Sequence, residues 1–475
     1  MLLISLKFFI FMLCLLGIYY KAGERHQWKV LLAGSAFFYL FSNPIYIIFI
    51  IISIVSTFYL MRKPSKLRFM LTILINLGLL LIFKYSVIFG VHDLIAPLGI
   101  SFYTFMTLGY AHDCYEKNIE PCDNIWHYAL FIFYFPQLTQ GPIGTYQDMK
   151  GQLTAYHPFE FQRIKTGAYR VIIGCFKKLV IAGRLAFYVD TVYSSPESYG
   201  GLTLIAATIF FLLELYADFS GYMDIVCGVS DMLGIRLREN FKRPLFATSV
   251  ADFWRKWHIT LNEWFNLHFF IPLNGAEWNR KFTRLLKKIF PWAKERNLRM
   301  LAPIMLVWSV TGIWHGANLT YLCWGVYYGL ITTVSFCLSP HIKKLCKKAG
   351  WKSDSRGARK FQIVRTFILV LIGQAMFRAE KVSDIPVICR NIATATRINA
   401  GEAAALLTPF GNGNQAVASV IIIAVLITAQ FIVELAKERD ERAFTGHRYV
   451  YAFLMLTGIA LFGVFGEPSF IYQTF

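Results

Sequence analysis

His315 stands between Trp314 and Gly316 in the run WSVTGIWHGANLTYLCWGVYYG (residues 308–329), which is otherwise apolar and aromatic. Gly312, Gly316, Gly325 and Gly329 remove side-chain bulk and let other backbone or a ligand come close, and the rings of Trp308, Trp314, Trp324 and Tyr328 could wall a pocket. A dry, narrow setting favours the uncharged imidazole, which can take a proton from a hydroxyl as a general base. A histidine that only hydrogen-bonds between helices would occupy the same setting. A second imidazole, His258, lies in DFWRKWHITLNEWF (252–265) among Trp254, Trp257 and Trp264, at helical spacing from them; the tryptophans alone would read as an interfacial belt. Three carboxylates, Glu214, Asp218 and Asp224, fall in ELYADFSGYMDIVCG. Glu214 and Asp218 are four apart and share a helix face; all three are too costly to face lipid and are expected in the structural frame rather than in chemistry.

The elements that position these groups belong to a polytopic membrane protein. Hydrophobic residues make up 56% of 475 and charged ones 16%, with several apolar runs near the roughly 20 residues that cross a bilayer as a helix. Leu2 to Tyr20 is too long for a signal-peptide core and has no small-residue cleavage site before Lys21, so a retained helix is expected. Nine cysteines are scattered without ligand spacing, which indicates neither a metal site nor a disulfide framework. The net charge of +20 is concentrated in two places: residues 279–299 carry eight Lys/Arg against one Glu, and residues 343–360 carry eight against one Asp. Both border membrane segments, which marks them as cytoplasmic and removes the need for a nucleic-acid partner.

In chain order, apolar segments at 28–42 and 44–61 are split by Asn43 and Pro44 and flanked by basic loops, which implies an outside N-terminus. Residues 69–89 span; residues 94–110, with Pro97, Gly99 and Gly109, read as bent or re-entrant; and 125–143 ends in FPQLTQGPI, a helix that breaks at membrane depth. Residues 161–183 mix basic and apolar positions and suit a helix at the cytoplasmic interface. Phe282, Leu285, Leu286, Ile289 and Phe290, with Arg280, Lys281, Arg284, Lys287 and Lys288 between them, form an amphipathic helix expected to lie on the cytoplasmic leaflet. About 14 residues, roughly 21 Å of helix, separate Met300 from His315, which places His315 inside the membrane. Residues 341–360 read as a basic loop, 361–377 as a span, 378–414 as an outside loop, 415–436 as a return span, 437–448 as the last cytoplasmic loop and 449–466 as a span that leaves the C-terminus outside.

FPQLTQGPI, DFSGYMDI, ENFKRP, DFWRKWHITLNEWF with IPLNG, and GIWHGANLTYLCWGVYYG occur in the order and approximate spacing of the membrane-bound O-acyltransferase (MBOAT) family. The chain resembles the branch that holds the alginate O-acetyltransferase membrane subunit and the teichoic acid D-alanyl transfer protein, over roughly residues 95–330. The resemblance implies an all-α fold, a single integral membrane domain over 1–475, with about eleven to thirteen transmembrane or re-entrant helices around a central tunnel. It implies His315 as the essential residue and His258 as its polar partner. Two departures from the family pattern stand out: Trp264-Phe265-Asn266-Leu267-His268 stands where relatives often read WFRDY, losing an Arg-Asp pair, and Tyr328 stands where a His is common.

The acyl donor is then a cytoplasmic thioester, acetyl-CoA or an acyl carrier protein, with no bound cofactor and no metal. Neutral His315 takes the proton of an acceptor hydroxyl as it attacks the thioester carbonyl, and His258, a backbone amide or an indole N–H steadies the oxyanion. Trp254, Trp257, Trp314, Asn318, Trp324 and Tyr328 are the expected substrate contacts, and Lys287 and Lys288 the donor-binding cations. Expected partners are membrane lipids and a cell-envelope polysaccharide, or an extracytoplasmic protein that relays the acyl group. The expected location is the bacterial cytoplasmic membrane. Acetyl transfer is preferred to D-alanyl transfer because the overall pattern, including IPLNG, is nearer the acetylase branch. A transporter could also use broken helices and intramembrane carboxylates, but transporters commonly carry an internal repeat and none is visible in the sequence.

Overall fold

A computed structural model describes residues 3–42, 44–91, 96–291, 294–350, 352, 354–394, 414–439 and 448–465. Among them the regular elements are helical, and the β pairing is confined to a single bridge between Phe241 and Trp257. The helices are α1 (Leu6–Lys21), α2 (Gln27–Ser42), α3 (Ile47–Met61), α4 (Lys66–Tyr85), α5 (Ile100–Tyr115), α6 (Ile125–Phe133) and α7 (Phe135–Leu138). They continue with α8 (Tyr146–Thr154), α9 (Phe161–Phe176), α10 (Gly183–Tyr193), α11 (Gly201–Met232), α12 (Val250–Lys256), α13 (Ile259–Phe265) and α14 (Ile271–Gly275). The rest are α15 (Glu277–Ile289), α16 (Glu295–His315), α17 (Leu319–Lys348), α18 (Arg356–Arg378), α19 (Asp384–Thr394), α20 (Asn414–Arg439) and α21 (Arg448–Phe462). Among the described residues, four helices are long and apolar enough to cross a membrane: Lys66–Ile88, which is α4 with its final turn, α11, α17 and α18. The chain is a polytopic membrane protein.

The chain divides into two compact units, residues 1–175 with 221–240, and residues 176–220 with 241–475. In the first unit α3, α4 and α5 pack around a buried polar seam, where Asn76 donates to Thr57 Oγ1 at 3.1 Å and bonds Ser53, which also meets Thr107. Buried side-chain amides and hydroxyls satisfy one another there, as a low-dielectric interior requires. Of 94–110, residues 96–110 are described, and their turn is at Gly99 rather than Gly109. Gly109 lies within the continuous α5, and the irregularity sits before it, at Gly99, whose φ of 71° opens the helix. A side chain at Gly99 would place its Cβ 1.8 Å from the carbonyl oxygen of Leu138, so only glycine admits the incoming chain. That chain is the expected break: α6 ends at Phe133, α7 restarts with Pro136 in its first turn, and Gln137 donates to the Pro142 carbonyl at 3.1 Å.

Two basic residues of 161–183 are held by carboxylates from other segments. The Arg170 guanidinium reaches Asp224 at 3.1 Å, Asp231 at 3.8 Å and Glu239 at 2.7 Å. In the second unit Lys178, in a π-helical turn at Lys177–Ala182, is buried against the carboxylate of Asp218. Ion pairing removes the cost that either charge would carry alone in an apolar interior, which helical periodicity cannot reveal.

The second unit is built on an aromatic core that includes Phe211, Tyr216, Phe253, Trp257, Trp324, Tyr328 and Phe377. Two of its boundaries differ from expectation. Residues expected to open the basic loop at 341–360 continue α17 as far as Lys348, with Pro340 inside the helix. The segment 378–414 contains α19, while its residues 395–413, like 440–447 of the last expected loop, lie outside the described residues. The amphipathic helix is present as α15, with Phe282, Leu285 and Ile289 exposed along one side. It is fastened to α16 by Asn279, which donates to the Arg299 carbonyl at 3.0 Å.

Candidate active site

The sequence 308–329 folds as a tight hairpin of α16 and α17. A Cβ on Gly312 would lie 2.4 Å from the Tyr321 carbonyl oxygen, and one on Gly325 would lie 2.4 Å from that of Trp308. The two glycine Cα positions face each other, so the backbones touch where any larger residue would separate them. His315 is the last residue of α16, one turn beyond Gly312, and is 4% exposed. Its ring lies 5.1 Å from Trp324 and 5.0 Å from Phe377, edge to face with both, and 4.8 Å from Trp314. Asn318 holds the turn: its side chain caps α17 by accepting from Thr320 N at 3.1 Å and donates to the Glu380 carbonyl at 2.7 Å.

The second histidine is placed by a break that helical spacing did not foresee. Residues 252–265 are not one helix; α12 ends at Lys256 and α13 starts at Ile259, each about 10 Å long and too short to span a bilayer. Trp257 instead pairs with Phe241, with Lys242 N donating to the Lys256 carbonyl at 3.0 Å. His258 takes φ 47° and ψ 53°, a left-handed conformation costly for a residue with a Cβ. Asn262 holds this bend. Its side-chain amide donates to the carbonyls of Trp254 and Trp257 at 2.8 and 2.7 Å, groups that the break takes out of the helical ladder, and lies 3.1 Å from the His258 carbonyl, which also accepts from Asn262 N. His258 is 3% exposed, with its ring edge-on to Phe219 at 4.8 Å. Neither ring nitrogen has a hydrogen-bond partner among the described residues. Burial pushes its pKa down to about 3, so the imidazole is neutral at any physiological pH.

The hairpin and the bend meet at one cavity. Its lining includes His258, His315, Trp254, Trp257, Trp308, Trp324, Thr311, Asn262, Gln374, Phe377 and Leu215. The cavity therefore joins both predicted histidines and three of the predicted aromatic contacts, Trp254, Trp257 and Trp324. Trp314, Asn318 and Tyr328 do not line it. Trp314 flanks His315, and Tyr328 packs behind Trp254, Trp308 and Trp324, with its hydroxyl donating to the Val370 carbonyl at 3.3 Å. Lys287 and Lys288 are on α15, away from the lining; Lys287 donates to the Pro291 carbonyl at 2.7 Å. Glu214 and Asp218 are also absent from the lining, although their neighbour Leu215 is part of it. Gln374 and Phe377 were missed because they come from α18, a segment whose sequence reads only as a span.

Among the described residues, the lining carries no carboxylate, lysine or arginine. Its polar complement is two imidazoles, a threonine, two amides, and the indole N–H groups of Trp254 and Trp324, which have no hydrogen-bond partners among the described residues. Such a surface can abstract a proton through a neutral imidazole and donate to a developing oxyanion.

A sequence profile of the membrane-bound O-acyltransferase family matches residues 122–353, which contain both histidines. A probable alginate O-acetylase of Pseudomonas putida is 30% identical over 398 residues, covering 78% of this chain and 76% of the relative. The peptidoglycan O-acetyltransferase of Helicobacter pylori is 31% identical over 363 residues, covering 67% of this chain and 65% of the relative. The teichoic acid D-alanyltransferase of Bacillus subtilis is 28% identical over 288 residues, covering 60% and 69%. With the two histidines of its motifs brought to one aromatic cavity, the chain belongs to the membrane-bound O-acyltransferase family and is an acyl-transferring enzyme.

Proposed function

We propose that the protein moves an acetyl group from a cytoplasmic thioester, acetyl-CoA, to a hydroxyl of a cell-envelope polysaccharide or of an extracytoplasmic partner that passes it on. The reading places the chain in the bacterial cytoplasmic membrane, its helices arranged around a tunnel that admits donor and acceptor from opposite sides. The observation that carries it is the convergence of His258 and His315 on one aromatic-walled cavity. His315 accepts the acceptor's proton while the hydroxyl oxygen attacks the thioester carbonyl. Neutral His258, or the indole N–H of Trp254 or Trp324, donates to the oxyanion, and the thiolate departs with the proton that His315 took. No covalent acyl-enzyme is needed.

Acetyl is favoured over D-alanyl by the chemistry of the lining. A D-alanyl group brings an ammonium into the cavity, where no carboxylate among the described residues would receive it, whereas an acetyl group is neutral and apolar. The decisive experiment is transfer of labelled acetyl from acetyl-CoA by the purified protein in detergent, without any gradient, paired with chemical analysis of envelope glycans from cells with and without the protein. Acetyl transfer in detergent and loss of glycan acetyl esters are the expected results. Loss of D-alanyl esters instead, or gradient-driven uptake without acyl transfer, would overturn the assignment.

A further inference from the structure

One polar group of the cavity stands without a role in the chemistry above and, among the described residues, without a partner for its oxygen. Gln374 is 2% exposed, it lines the cavity with both histidines, and its side-chain carbonyl oxygen has no hydrogen-bond partner among the described residues. Leaving a buried acceptor unmet is costly, so such an atom points to a donor on whatever the cavity receives. Gln374 also lies on α18, outside the 122–353 segment matched by the family.

Its place along α18 says which donor. Gln374 precedes Phe377 by three residues, so the two share a face about 4.5 Å apart along the axis, and Phe377 touches the ring of His315. The end of α18 beyond Gln374 is the one crowded with Lys352, Arg356, Arg359 and Lys360, a basic flank that marks the cytoplasmic side. Gln374 is therefore displaced from the His315 level toward the side from which a thioester arrives. In coenzyme A and in phosphopantetheinyl carriers alike, the sulfur is followed by two methylenes and an amide. That amide nitrogen is four bonds from the acyl carbonyl carbon, roughly 5 Å away.

We infer that Gln374 is a donor-positioning residue: its side-chain oxygen accepts a hydrogen bond from the first amide N–H of the pantetheine arm, which sets the thioester carbonyl against His315. The inference rests on the acyl-transfer reading above and names the recognition element for its donor.

Two truncated donors test it: S-acetyl-N-acetylcysteamine, which keeps the amide N–H, and S-acetyl-2-mercaptoethyl acetate, in which an ester oxygen replaces it. With the native protein, the amide donor should be favoured by about tenfold in kcat/KM, or as an inhibitor of transfer from acetyl-CoA where its own turnover is too slow. In Gln374→Leu or the near-isosteric Gln374→Met the preference should collapse to about one, with the KM for the acceptor unchanged. Acetyl-CoA and an acetylated carrier protein, assayed as full-length donors, identify the source: the physiological one loses about tenfold on Gln374→Leu. Equal use of both truncated donors by the native protein would overturn the inference without requiring any variant to fold. A raised acceptor KM with the amide preference intact would overturn it too and move Gln374 to the acceptor side. Absence of acyl transfer from every donor would overturn the acyl-transfer reading and this inference with it.

Discussion

Gly312→Ala tests how finely the hairpin sets the catalytic geometry. The new methyl would lie 2.4 Å from the Tyr321 carbonyl oxygen, where ordinary contact begins at 3.4 Å. The obstructing atom is backbone and cannot rotate away, so α16 and α17 must separate by about 1 Å. Overpacking of this kind costs about 1–3 kcal/mol, and His315, one turn on, is carried with its helix away from Trp324. A misplacement of about 1 Å at a reacting group lowers rate by about 10²-fold. The assay is acetyl transfer per folded molecule, with the folded fraction taken from size exclusion in detergent. Gly357→Ala on α18, where a Cβ would meet nothing within 4 Å, is the control and should be neutral. Gly325→Ala should reproduce the loss, because its Cβ meets the Trp308 carbonyl from the other side of the same contact. The double variant should cost little more than either single one, since one separation relieves both clashes. Full activity in Gly312→Ala, or strictly multiplicative losses in the double variant, would refute the reasoning.

Four further outcomes are expected. His315→Ala should leave membrane insertion and donor binding near normal while transfer falls by about 10²–10⁴-fold, with His258→Ala costing less because an indole or backbone N–H can substitute; folded His315→Ala protein that retains a substantial rate would remove the general-base role. Because His258 is neutral above about pH 3, the native rate profile between about pH 5 and 9 should carry no titration that disappears in His258→Gln, and a limb that does vanish would contradict its burial. Asn262→Ala strips the amide from three carbonyls at the His258 bend and should lower kcat by about tenfold with donor KM little changed; a pure loss of folded protein would reduce Asn262 to a stabilising role. Asp218→Asn takes the carboxylate from buried Lys178 and should cost about 3–5 kcal/mol, seen as less folded protein before any change in rate per molecule, whereas folded but inactive protein would place Asp218 in the chemistry.

The site was legible in the sequence where chemistry is local and opaque where it depends on a backbone break or on a distant helix. His315 announced itself by its setting, and the four glycines around it correctly signalled close approach, because both follow from residue type alone. The tryptophans of 252–265 were placed on one continuous helix because apolar spacing carries no information about a carbonyl turned out of the ladder. That information resides in Asn262, which looked like an ordinary polar residue. The pairing of Lys178 and Arg170 with carboxylates is not readable from spacing, because a basic residue at helical spacing looks the same whether it meets a headgroup or a carboxylate in another segment. Tyr328 and Asn318 are expected as substrate contacts from their nearness in sequence to His315, yet neither lines the cavity: the chain turns after α16, Asn318 caps α17, and the Tyr328 hydroxyl bonds the Val370 carbonyl. Gln374 carried no signal at all, since a lone amide in a spanning helix becomes informative only when its neighbours are known.

Three of the four indoles that wall the cavity are also a chromophore. Trp254, Trp308 and Trp324 form a triangle with ring separations of 5.0, 5.5 and 5.7 Å and interplanar angles between 67° and 86°. At such spacing and fixed relative orientation their electronic transitions couple, and a handed triangle of coupled oscillators gives circular dichroism that isolated indoles do not. The protein thus carries a label at the reaction chamber itself. The difference spectrum between the native chain and Trp324→Phe isolates that label from the other tryptophans, so loosening of the chamber can be followed optically without attaching any dye.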